Sequence, residues 1–552
     1  MGDVKCFLET ERSNPECAIG VPSSEISSPN SGRSSQLPGL TSATPKTTRT
    51  TTTTTTPSRF IAPLPPPPLA CPVPGKAAIV ATRQGCLDLE LDEEVAQVGH
   101  NHKRSNPTNH GGGGLDAWLP ITESRNGNAF YSAFHSLNSG IGFQALLLPL
   151  AFTILGWTWG IVSLSFAFGW QLYTLWLLIQ LHESDPETRY SRYLHLAKAA
   201  FGEKRGKLMA LFPIMYLSGG TCVALITLGG GTMKLFFQTV CEGTTSCLAN
   251  PLTNVEWFLL FTCTAVVLAQ LPNLNSIAGV SLIGAITAMT YCTIIWVVSV
   301  THGRAAGASY EPFQPKSDIA KTFSILNALG IIAFAFRGHN LVLEIQGTMP
   351  SIQKHPSQVP MWKGVKFAYL LIAVCLYPLA IAVYWAYGNQ IPQNNGMLYA
   401  LFKFHGKEIS RVVLGLTSVL VVINCLSSFQ IYAMPVFDNL EFAYTSKKNK
   451  PCSRWIRTGI RAFFGCLAFF IAVALPVLGS LAGLLGGIAL PITLAYPCFM
   501  WIQIKRPQRY GAMWFINWGL GILGMVLSFL VIAGAVWSIV DRGIKPNFFR
   551  PS

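Results

Sequence analysis

Two apolar stretches of the chain are each interrupted by a short run of glycine and polar residues. The first stretch spans residues 128–155 and is interrupted by Asn138, Ser139, Gly140, Ile141 and Gly142. The second stretch spans residues 321–349 and is interrupted, directly after Ala335, by Phe336, Arg337, Gly338, His339 and Asn340. An unpaired amide or carbonyl costs several kcal/mol in an apolar environment, so unwound backbone there must line an enclosed or water-filled cavity. The two breaks therefore predict a binding site between them.

The two breaks offer complementary groups to a ligand. After the first break the helix restarts near Phe143, and its free backbone N–H groups and positive dipole end suit a carboxylate. At the second break a helix ends at Ala335, where backbone carbonyls can accept hydrogen bonds from an ammonium group. We therefore expect a zwitterionic amino acid to bind between residues 138–142 and residues 335–338.

Few titratable side chains lie deep within the apolar segments, and these are the candidates to carry a proton. They are His135, His339 and Glu344, of which Glu344 is the only acid in a segment interior. A lone buried histidine more often packs than transfers protons, so both roles stay open for His135 and His339.

Arg337 puts a fixed positive charge in the second break. An arginine inside a membrane segment is rare and usually functional, although it can also serve only to pair with Glu344 or with a helix C-terminus. Both roles are open. If Arg337 faces the site, repulsion between like charges disfavours lysine and arginine as substrates.

The composition indicates a membrane protein. Half of the residues (50%) are hydrophobic, only 12% are charged, and the mean hydropathy is +0.39, whereas a typical soluble domain has about 25% charged residues. Eleven apolar segments are each long enough to cross about 30 Å of hydrocarbon at about 1.5 Å per residue. They lie near residues 128–155, 157–181, 207–236, 254–271, 277–300, 321–347, 363–387, 409–435, 457–476, 479–503 and 513–540.

The eleven segments divide into two sets of five and one extra segment. Segments one to five occupy about 128–300, segments six to ten occupy about 321–503, and each set opens with a broken segment. Because each set has an odd number of crossings, the second set enters the membrane from the opposite side. The predicted fold is therefore an all-α membrane protein: eleven transmembrane helices, a 5+5 inverted repeat with broken helices one and six, and an accessory helix at about 513–540. This organisation is typical of secondary active transporters.

The distribution of charge predicts the orientation. If the N-terminus is cytoplasmic, the inner connections hold thirteen Lys and Arg, whereas the outer connections and the C-terminal tail hold seven; cytoplasmic loops favour these residues. Eleven crossings then place the C-terminus on the extracellular side of a plasma-membrane protein, although an endomembrane location stays open. Residues 1–126 are rich in Ser, Thr and Pro, so we expect a disordered cytoplasmic region there, and residues 127–552 form the transporter domain.

The cysteines and histidines do not form a metal site or a disulfide framework. Seven of the 14 cysteines lie inside apolar segments as small hydrophobic residues. Cys241 and Cys247 differ because they flank a short outer loop, where either a disulfide or two free thiols is consistent with the sequence. No metal-ligand spacing and no phosphate-binding glycine loop is present. We therefore expect no cofactor, no metal, no nucleic-acid partner and no enzymatic activity.

Four sequence stretches resemble the plant lysine/histidine transporter-like branch of the amino acid/auxin permease family. They are residues 131–149, which begin with YSAFH and end at Pro149, followed by Gly156-Trp157; LPNLNSIAGVS at 271–281; GHNLVLEIQ at 338–346; and QIYAMPVFD at 430–438. The resemblance covers nearly all of 127–550 and implies the inverted-repeat fold of the amino acid–polyamine–organocation superfamily and proton-coupled amino acid uptake. It assigns the carboxylate to Ser139, Gly140 and Gly142 and the amine to the backbone of 335–338. Arg337 departs from the family, which commonly has a small neutral residue there.

Two alternative functions are consistent with the same segments. Sodium could replace the proton as coupling ion, because Ser427 and Ser428 in segment eight could supply oxygen ligands beside the first break. The chain could also be a receptor or sensor that binds an amino acid without transporting it. The inverted repeat disfavours a sensor, because alternating access needs two such halves and a receptor does not.

Overall fold

The computed structural model describes residues 118–123, 125–185, 188–241, 252–271, 275–312, 317–336, 338–392, 396–474 and 478–542. These residues all belong to one compact unit, Lys103–Ser552. Within these ranges the regular structure is helical, apart from one isolated bridge between Ile352 and His355. The predicted all-α fold is confirmed.

The helices follow the predicted segments closely. In chain order they are α1 Ala129–Gly140, α2 Phe143–Leu181, α3 Tyr193–Phe201, α4 Glu203–Cys241, α5 Asn254–Leu268, α6 Ala278–His302, α7 Asp318–Ala335, α8 His339–Gly347, α9 Gln358–Tyr387, α10 Gly396–His405, α11 Arg411–Lys448, α12 Arg454–Ala474, α13 Leu478–Leu490, α14 Tyr496–Lys505 and α15 Ala512–Arg542. A π-helical turn, Pro491–Ala495, joins α13 to α14.

Each of the eleven predicted segments contains at least one helix. In the described part of the chain, nine helical stretches are long and apolar enough to cross a membrane. Segments one and two are continuous through α2, which bends at Gly156 (φ 72°), and segment four is the shorter helix α5 of 15 residues. The chain is therefore a multi-pass membrane protein, and eleven complete crossings stay a prediction.

Both predicted breaks are present. Asn128 begins α1 by accepting a hydrogen bond from the Tyr131 N–H at 3.0 Å, and α1 ends at Gly140. Ile141 is extended, and the helix restarts as α2 at Phe143. In segment six, α7 ends at Ala335 and α8 begins at His339.

The two broken segments lie side by side and run in opposite directions. At one end the backbone N–H of Gly127, before α1, donates to the carbonyl of Thr348, after α8, at 2.9 Å. In the middle the rings of Phe143 and Phe334 have centroids 5.5 Å apart. The start of segment one therefore meets the end of segment six, as an inverted repeat requires.

Small residues allow helices to approach closely around the breaks. Lipid tails are as apolar as leucine, so helices in a membrane associate mainly through packing and hydrogen bonds. Gly364 of α9 lies against the α1 backbone at the Ala129 carbonyl, and the Ser132 hydroxyl donates to the Met361 carbonyl at 3.3 Å. Gly486 of α13 lies against the backbone of Gly330 in α7.

The packed chain begins before the predicted domain boundary at residue 127. Leu119 and Ile121 are fully buried, and Thr122 is nearly so. Two apolar side chains and a hydroxyl are too few to change the average composition of the first 126 residues, so a prediction from composition places them in the disordered region. The prediction for residues 1–117 lies outside the described residues.

Cys241, at the end of α4, is disulfide-bonded. Cys247 lies outside the described residues, so the pairing of these two cysteines stays a prediction. Cys222, Cys292 and Cys425, which lie inside helices, are buried as expected for small hydrophobic residues.

Candidate functional site

The two breaks meet in the interior of the protein. A Cβ atom at Gly338 would lie 3.2 Å from the Ser139 hydroxyl, so the Ser139 side chain lies against the backbone at Gly338. The described residues of both breaks are buried; they are Asn138, Ser139, Gly140, Ile141, Gly142, Ala335, Phe336 and Gly338. Arg337 lies outside the described residues. The structure thus brings together the two sets of predicted substrate-binding residues.

The carbonyl groups of the first break are occupied by donors from the protein. Tyr432 of α11 donates to Ser139 O at 2.8 Å, and Tyr291 of α6 donates to Gly142 O at 3.1 Å. The Gln144 amide donates to Gly140 O at 2.7 Å. These three side chains stabilise the unwound backbone and were missed by sequence reasoning, although Tyr432 lies in one of the stretches that carry the family resemblance.

The amide side of the first break is less occupied. Ile141 N donates to Leu137 O at 2.9 Å and Ala145 N donates to Gly142 O at 3.0 Å, but the Gly142 N–H has no backbone acceptor among the described residues. This amide directly precedes α2, whose N-terminal end carries the positive end of the helix dipole. An anionic group at this position would be favoured over a cation.

The two breaks need glycine for different reasons. Gly338 has φ 123°, a conformation that residues with a side chain rarely adopt. Gly142 has φ −156°, which any residue can adopt, and Gly140 ends α1. Gly140 is restricted instead by packing, because its Cβ position is filled by the Ile372 side chain of α9.

Asn138 anchors the first break rather than presenting a free amide to a ligand. Its Nδ2 donates to Ser427 Oγ at 2.9 Å, and the Ser427 hydroxyl donates to Val280 O at 2.6 Å. Ser428 Oγ donates to the Asn138 carbonyl at 3.3 Å. The end of α1 is therefore held against α11 and α6.

The two histidines predicted as proton carriers are buried and hydrogen-bonded. His135 Nδ1 lies 2.8 Å from Ser281 Oγ. His339 Nε2 lies 3.0 Å from both Thr174 Oγ1 and Gln171 O. The second ring nitrogen of each histidine has no partner among the described residues. Both side chains connect a broken segment to a neighbouring helix.

Glu344 lies in α8 beside a buried ion pair. Its side chain is 2% exposed, and Oε2 has no hydrogen-bond partner among the described residues. The charged groups that act on it are Asp438 and Arg192, which form an ion pair at 2.5 Å between Arg192 Nε and Asp438 Oδ2. The partner predicted for Glu344 was Arg337, which lies outside the described residues.

Further buried charges continue this ion pair. Glu441 Oε2 lies 2.9 Å from Arg457 Nε, and Glu441 Oε1 lies 3.8 Å from Arg461 Nη2. Arg461 also donates to the Ala269 and Leu271 carbonyls at 2.7 and 2.8 Å. We call Arg192, Asp438, Glu441, Arg457 and Arg461 the ion-pair cluster.

The chain before α1 is attached to the ion-pair cluster. Arg192 Nη2 donates to Thr122 Oγ1 at 3.2 Å, and Arg457 Nη2 donates to the Trp118 carbonyl at 2.8 Å. Arg457 also lies 3.5 Å from Glu123. This end of the protein is therefore closed by charged groups that hold residues 118–123 in place.

The fold and the site define a helical membrane protein with an enclosed site between two antiparallel broken helices. The family described as "Transmembrane amino acid transporter protein" matches residues 125–540. Lysine histidine transporter-like 8 of Arabidopsis thaliana is 57% identical over 90% of this chain and 91% of its own length. Lysine histidine transporter-like 7 of the same plant is 46% identical over 81% of this chain and 93% of its own length.

The chain belongs to the transmembrane amino acid transporter family, and the resemblance found in the sequence is confirmed. This is a family of transporters, which agrees with the expectation that the chain is not an enzyme.

Two solved structures of transporters also align with the chain. A Na⁺-coupled sialic acid symporter in a substrate-bound outward-open state covers 77% of this chain and 92% of its own, with a TM-score of 0.49 and 12% identity. MHP1, of the nucleobase-cation-symport-1 family, covers 78% of this chain and 96% of its own, with a TM-score of 0.49 and 13% identity. At this level the alignments carry no conclusion, and the fold rests on the helices themselves.

Proposed function

We propose that the protein is a secondary active transporter that carries amino acids together with protons by alternating access. The observation that supports this most directly is the contact between two oppositely directed breaks in one buried place, where Ser139 meets Gly338. Irregular backbone at this depth is tolerated where it binds a ligand or lines a cavity. Membership of an amino acid transporter family supports an amino acid as that ligand.

In this proposal each break binds one end of the substrate. The carboxylate binds at the Gly142 N–H and the start of α2, where the dipole is positive and the neighbouring carbonyls already have donors. The ammonium group binds near the end of α7, where Ala335 and Phe336 leave the helix and Gly338 turns the backbone. Arg337, in the same break, is proposed to act on substrate choice.

Glu344 is the proposed carrier of the coupling proton. Its unpartnered oxygen is buried beside the Arg192–Asp438 pair, and a buried carboxyl without a donor is less costly as the neutral acid. Carrying a proton with a zwitterion moves one net charge, which gains about 2.3 kcal/mol per 100 mV and supports about fifty-fold accumulation. His135 and His339 are secondary candidates because each already has a protein partner.

Tracer uptake tests this function. In cells lacking their own amino acid carriers, the protein should accumulate a labelled neutral amino acid against its gradient at acidic external pH, and a protonophore should abolish accumulation. Glu344→Gln should retain exchange of labelled for unlabelled substrate but lose accumulation, because exchange needs no net proton movement. Accumulation by Glu344→Gln at the parent level would exclude Glu344 as the carrier, and binding without accumulation by the parent would favour a sensor.

Sodium coupling is the second candidate, because oxygens of Asn138, Ser427 and Ser428 lie together beside the first break. The Asn138 amide, however, directs an N–H at Ser427 Oγ, and a donor at this position disfavours a cation there. Replacing external sodium with choline should leave uptake unchanged. If uptake is lost in choline, and uptake in sodium persists in the presence of a protonophore, sodium is the coupling ion instead.

We also propose that the protein resides in the plasma membrane with a cytoplasmic N-terminus and an extracellular C-terminus. An epitope placed before Leu115 should be detected only after cells are permeabilised, and an epitope after Ser552 should be detected on intact cells. If both epitopes are accessible from the same side, the number of crossings is even. An epitope signal confined to internal membranes would show that the protein resides in the endomembrane system.

A further inference from the structure

Aromatic side chains from three parts of the chain surround the second break. The ring of Phe168 in α2 lies 5.4 Å from that of Phe336 and 5.8 Å from that of Tyr369 in α9, measured between centroids. The Phe168 ring thus contacts both Tyr369 and Phe336, and Phe336 belongs to the unwound backbone of segment six. Both Phe336 and Tyr369 are almost fully buried.

Tyr369 also lies beside the first break. Ile372, one turn further along α9, fills the space that a side chain at Gly140 would need. The Tyr369 phenol is close enough to Tyr432 to interact with it electrostatically, and the Tyr432 hydroxyl donates to the Ser139 carbonyl at 2.8 Å. Tyr369 therefore flanks both halves of the proposed substrate site.

The Tyr369 hydroxyl differs from the other buried tyrosine hydroxyls near the breaks. It is buried and has no hydrogen-bond partner among the described residues. By contrast, Tyr432 donates to Ser139 O and Tyr291 donates to Gly142 O. Burying a hydroxyl without a partner is unfavourable, so a hydroxyl left in this state is suited to a group that arrives with a ligand.

The surroundings of Tyr369 indicate what kind of group that is. Its neighbours Phe168, Phe336 and Ile372 are apolar, and the nearby Tyr432 hydroxyl already donates to a carbonyl. A wall of this type accepts a neutral side chain, and the phenol can donate one hydrogen bond to an oxygen on it.

We propose that Tyr369 is a specificity-determining residue whose hydroxyl donates a hydrogen bond to a side-chain oxygen of a neutral amino acid substrate. The inference rests on the proposed function, because it takes the two breaks as the substrate site. It predicts that glutamine, with an amide oxygen, is favoured over methionine, which has similar length but no comparable acceptor.

Tyr369→Phe removes only the hydroxyl and tests the proposal. The KM for glutamine uptake should rise about tenfold, the loss expected for one buried hydrogen bond to substrate, whereas the KM for methionine should stay within about twofold. Tyr377→Phe is the matched control: Tyr377 is also in α9 and 6.4 Å from the Phe168 ring, but its hydroxyl donates to Ser165 Oγ at 3.1 Å. This control should leave both KM values unchanged.

Binding of labelled glutamine and methionine to the purified protein separates this inference from the proposed function. If the parent binds both substrates but accumulates neither, transport is excluded, and a selective loss of glutamine binding in Tyr369→Phe still supports the role of Tyr369. An unchanged glutamine-to-methionine ratio in Tyr369→Phe, for binding and uptake alike, overturns the inference. A parent that binds methionine but not glutamine also overturns it.

Discussion

The two ends of the helical bundle are closed by different kinds of contact. At the end of α11 that carries Asp438, the ion-pair cluster joins buried acids to buried arginines. At the opposite end, the Tyr387 hydroxyl and His405 Nδ1 are 2.9 Å apart, and the rings of His302 and His405 have centroids 5.7 Å apart. We call this second group, together with Trp157 and Tyr384, whose ring centroids lie 4.7 Å apart, the aromatic end.

The two closures differ in what they cost to open. Removing one partner of a buried ion pair costs about 3–5 kcal/mol, because the remaining charge is left buried and unpaired. A neutral hydrogen bond contributes about 1 kcal/mol, and a ring contact contributes a similar amount. In the proposed transport cycle the aromatic end would therefore open in small steps, whereas the ion-pair cluster would have to open as a unit or exchange its charge with a proton. In the proposed orientation, the aromatic end faces outward.

The largest expected effect comes from removing one member of the cluster. Arg192→Ala leaves Asp438, which is 0% exposed, without its ion-pair partner. We expect a loss of about 3–5 kcal/mol in stability and little protein at the membrane. Thermal unfolding of the purified variant measures the first effect, and surface labelling measures the second.

The double variant Arg192→Met with Asp438→Leu should recover much of the stability lost in Arg192→Ala, because no charge is left unpaired. His405→Gln is the matched change at the aromatic end and should cost about 1 kcal/mol. If Arg192→Ala and His405→Gln destabilise the protein equally, the difference between the two ends disappears.

In the proposed transport cycle the first break lets the two ends move separately, and a side chain at Gly140 should block this movement. Gly140→Val places its side chain on Ile372, so we expect uptake to be abolished while the protein still reaches the membrane. Gly142→Val should also abolish uptake, because a branched side chain covers the backbone N–H proposed for the carboxylate. Gly231→Val is the control, since a Cβ at Gly231 meets no atom within 4 Å.

Adding Ile372→Ala to the Gly140→Ala variant should partly restore uptake. Adding Ile372→Ala to the Gly142→Val variant should not, because only Gly140 is restricted by Ile372. Normal uptake by both valine variants would place the substrate elsewhere and leave the two ends without a shared site.

External pH should act on the aromatic end through His405. Burial lowers the pKa of His405 from its ordinary 6.5; Glu408 opposes this shift and His302 adds to it. Lys403, on the same helix, lies over the Phe404 ring, and Tyr387 faces the His405 Nδ1 atom. The closed state therefore binds fewer protons than an open one. Closure is fully favoured above pH 6.5 and weakens as the pH falls below it.

The quantity to measure is the ratio of outward-facing to inward-facing protein. It is measured by labelling a cysteine placed at the exposed residue Tyr399 of α10. Lowering the external pH from 7.5 to 5.5 should raise labelling about twofold in the parent and leave it unchanged in His405→Gln. An equal rise in both proteins would show that another group senses the pH.

The smallest effect is expected from Glu183, which lies just beyond the C-terminal end of α2. The aromatic end lies near Gly156, where α2 bends, so Glu183 is at the other end of this helix. Burial acts to raise its pKa, but hydrogen bonds with His182 and Ser357 outweigh burial and lower the pKa from 4.5 to about 2. Its stabilising contribution is present above pH 4.5 and is lost only as the pH falls through about 2.

Glu183→Gln should therefore reduce thermal stability by about 1 kcal/mol and leave the pH dependence of labelling between 7.5 and 5.5 as in the parent. A flattened pH profile in this variant would mean that both ends sense protons in the physiological range.

The sequence was most informative where the signal is local. Apolar runs are sufficient to predict the helices, and the glycines within two of these runs predict the breaks. Because unwound backbone in a membrane must be enclosed, the breaks were also expected to lie in the interior. The same residues predicted that the two breaks lie together, and the Ser139 side chain does lie against Gly338; their role as a substrate site stays a prediction.

The remaining contacts depend on residues that are distant in the sequence. Arg192 and Asp438 are 246 positions apart, and nothing near either residue indicates its partner. Tyr432 and Tyr291 donate to carbonyls of the first break from other helices, and aromatic residues in apolar segments more often pack. The burial of Leu119 was hidden because the surrounding region is polar on average.

The attachment of residues 118–123 to the ion-pair cluster has a mechanical consequence. Arg457 holds the Trp118 carbonyl and Arg192 holds Thr122, so residues 118–123 are held by the same side chains that close this end. A pull on residues 118–123, or a bulky group attached there, would therefore act on Arg192 and on Arg457 of α12 as well as on the chain that leads into α1, and would disturb the contacts that close this end.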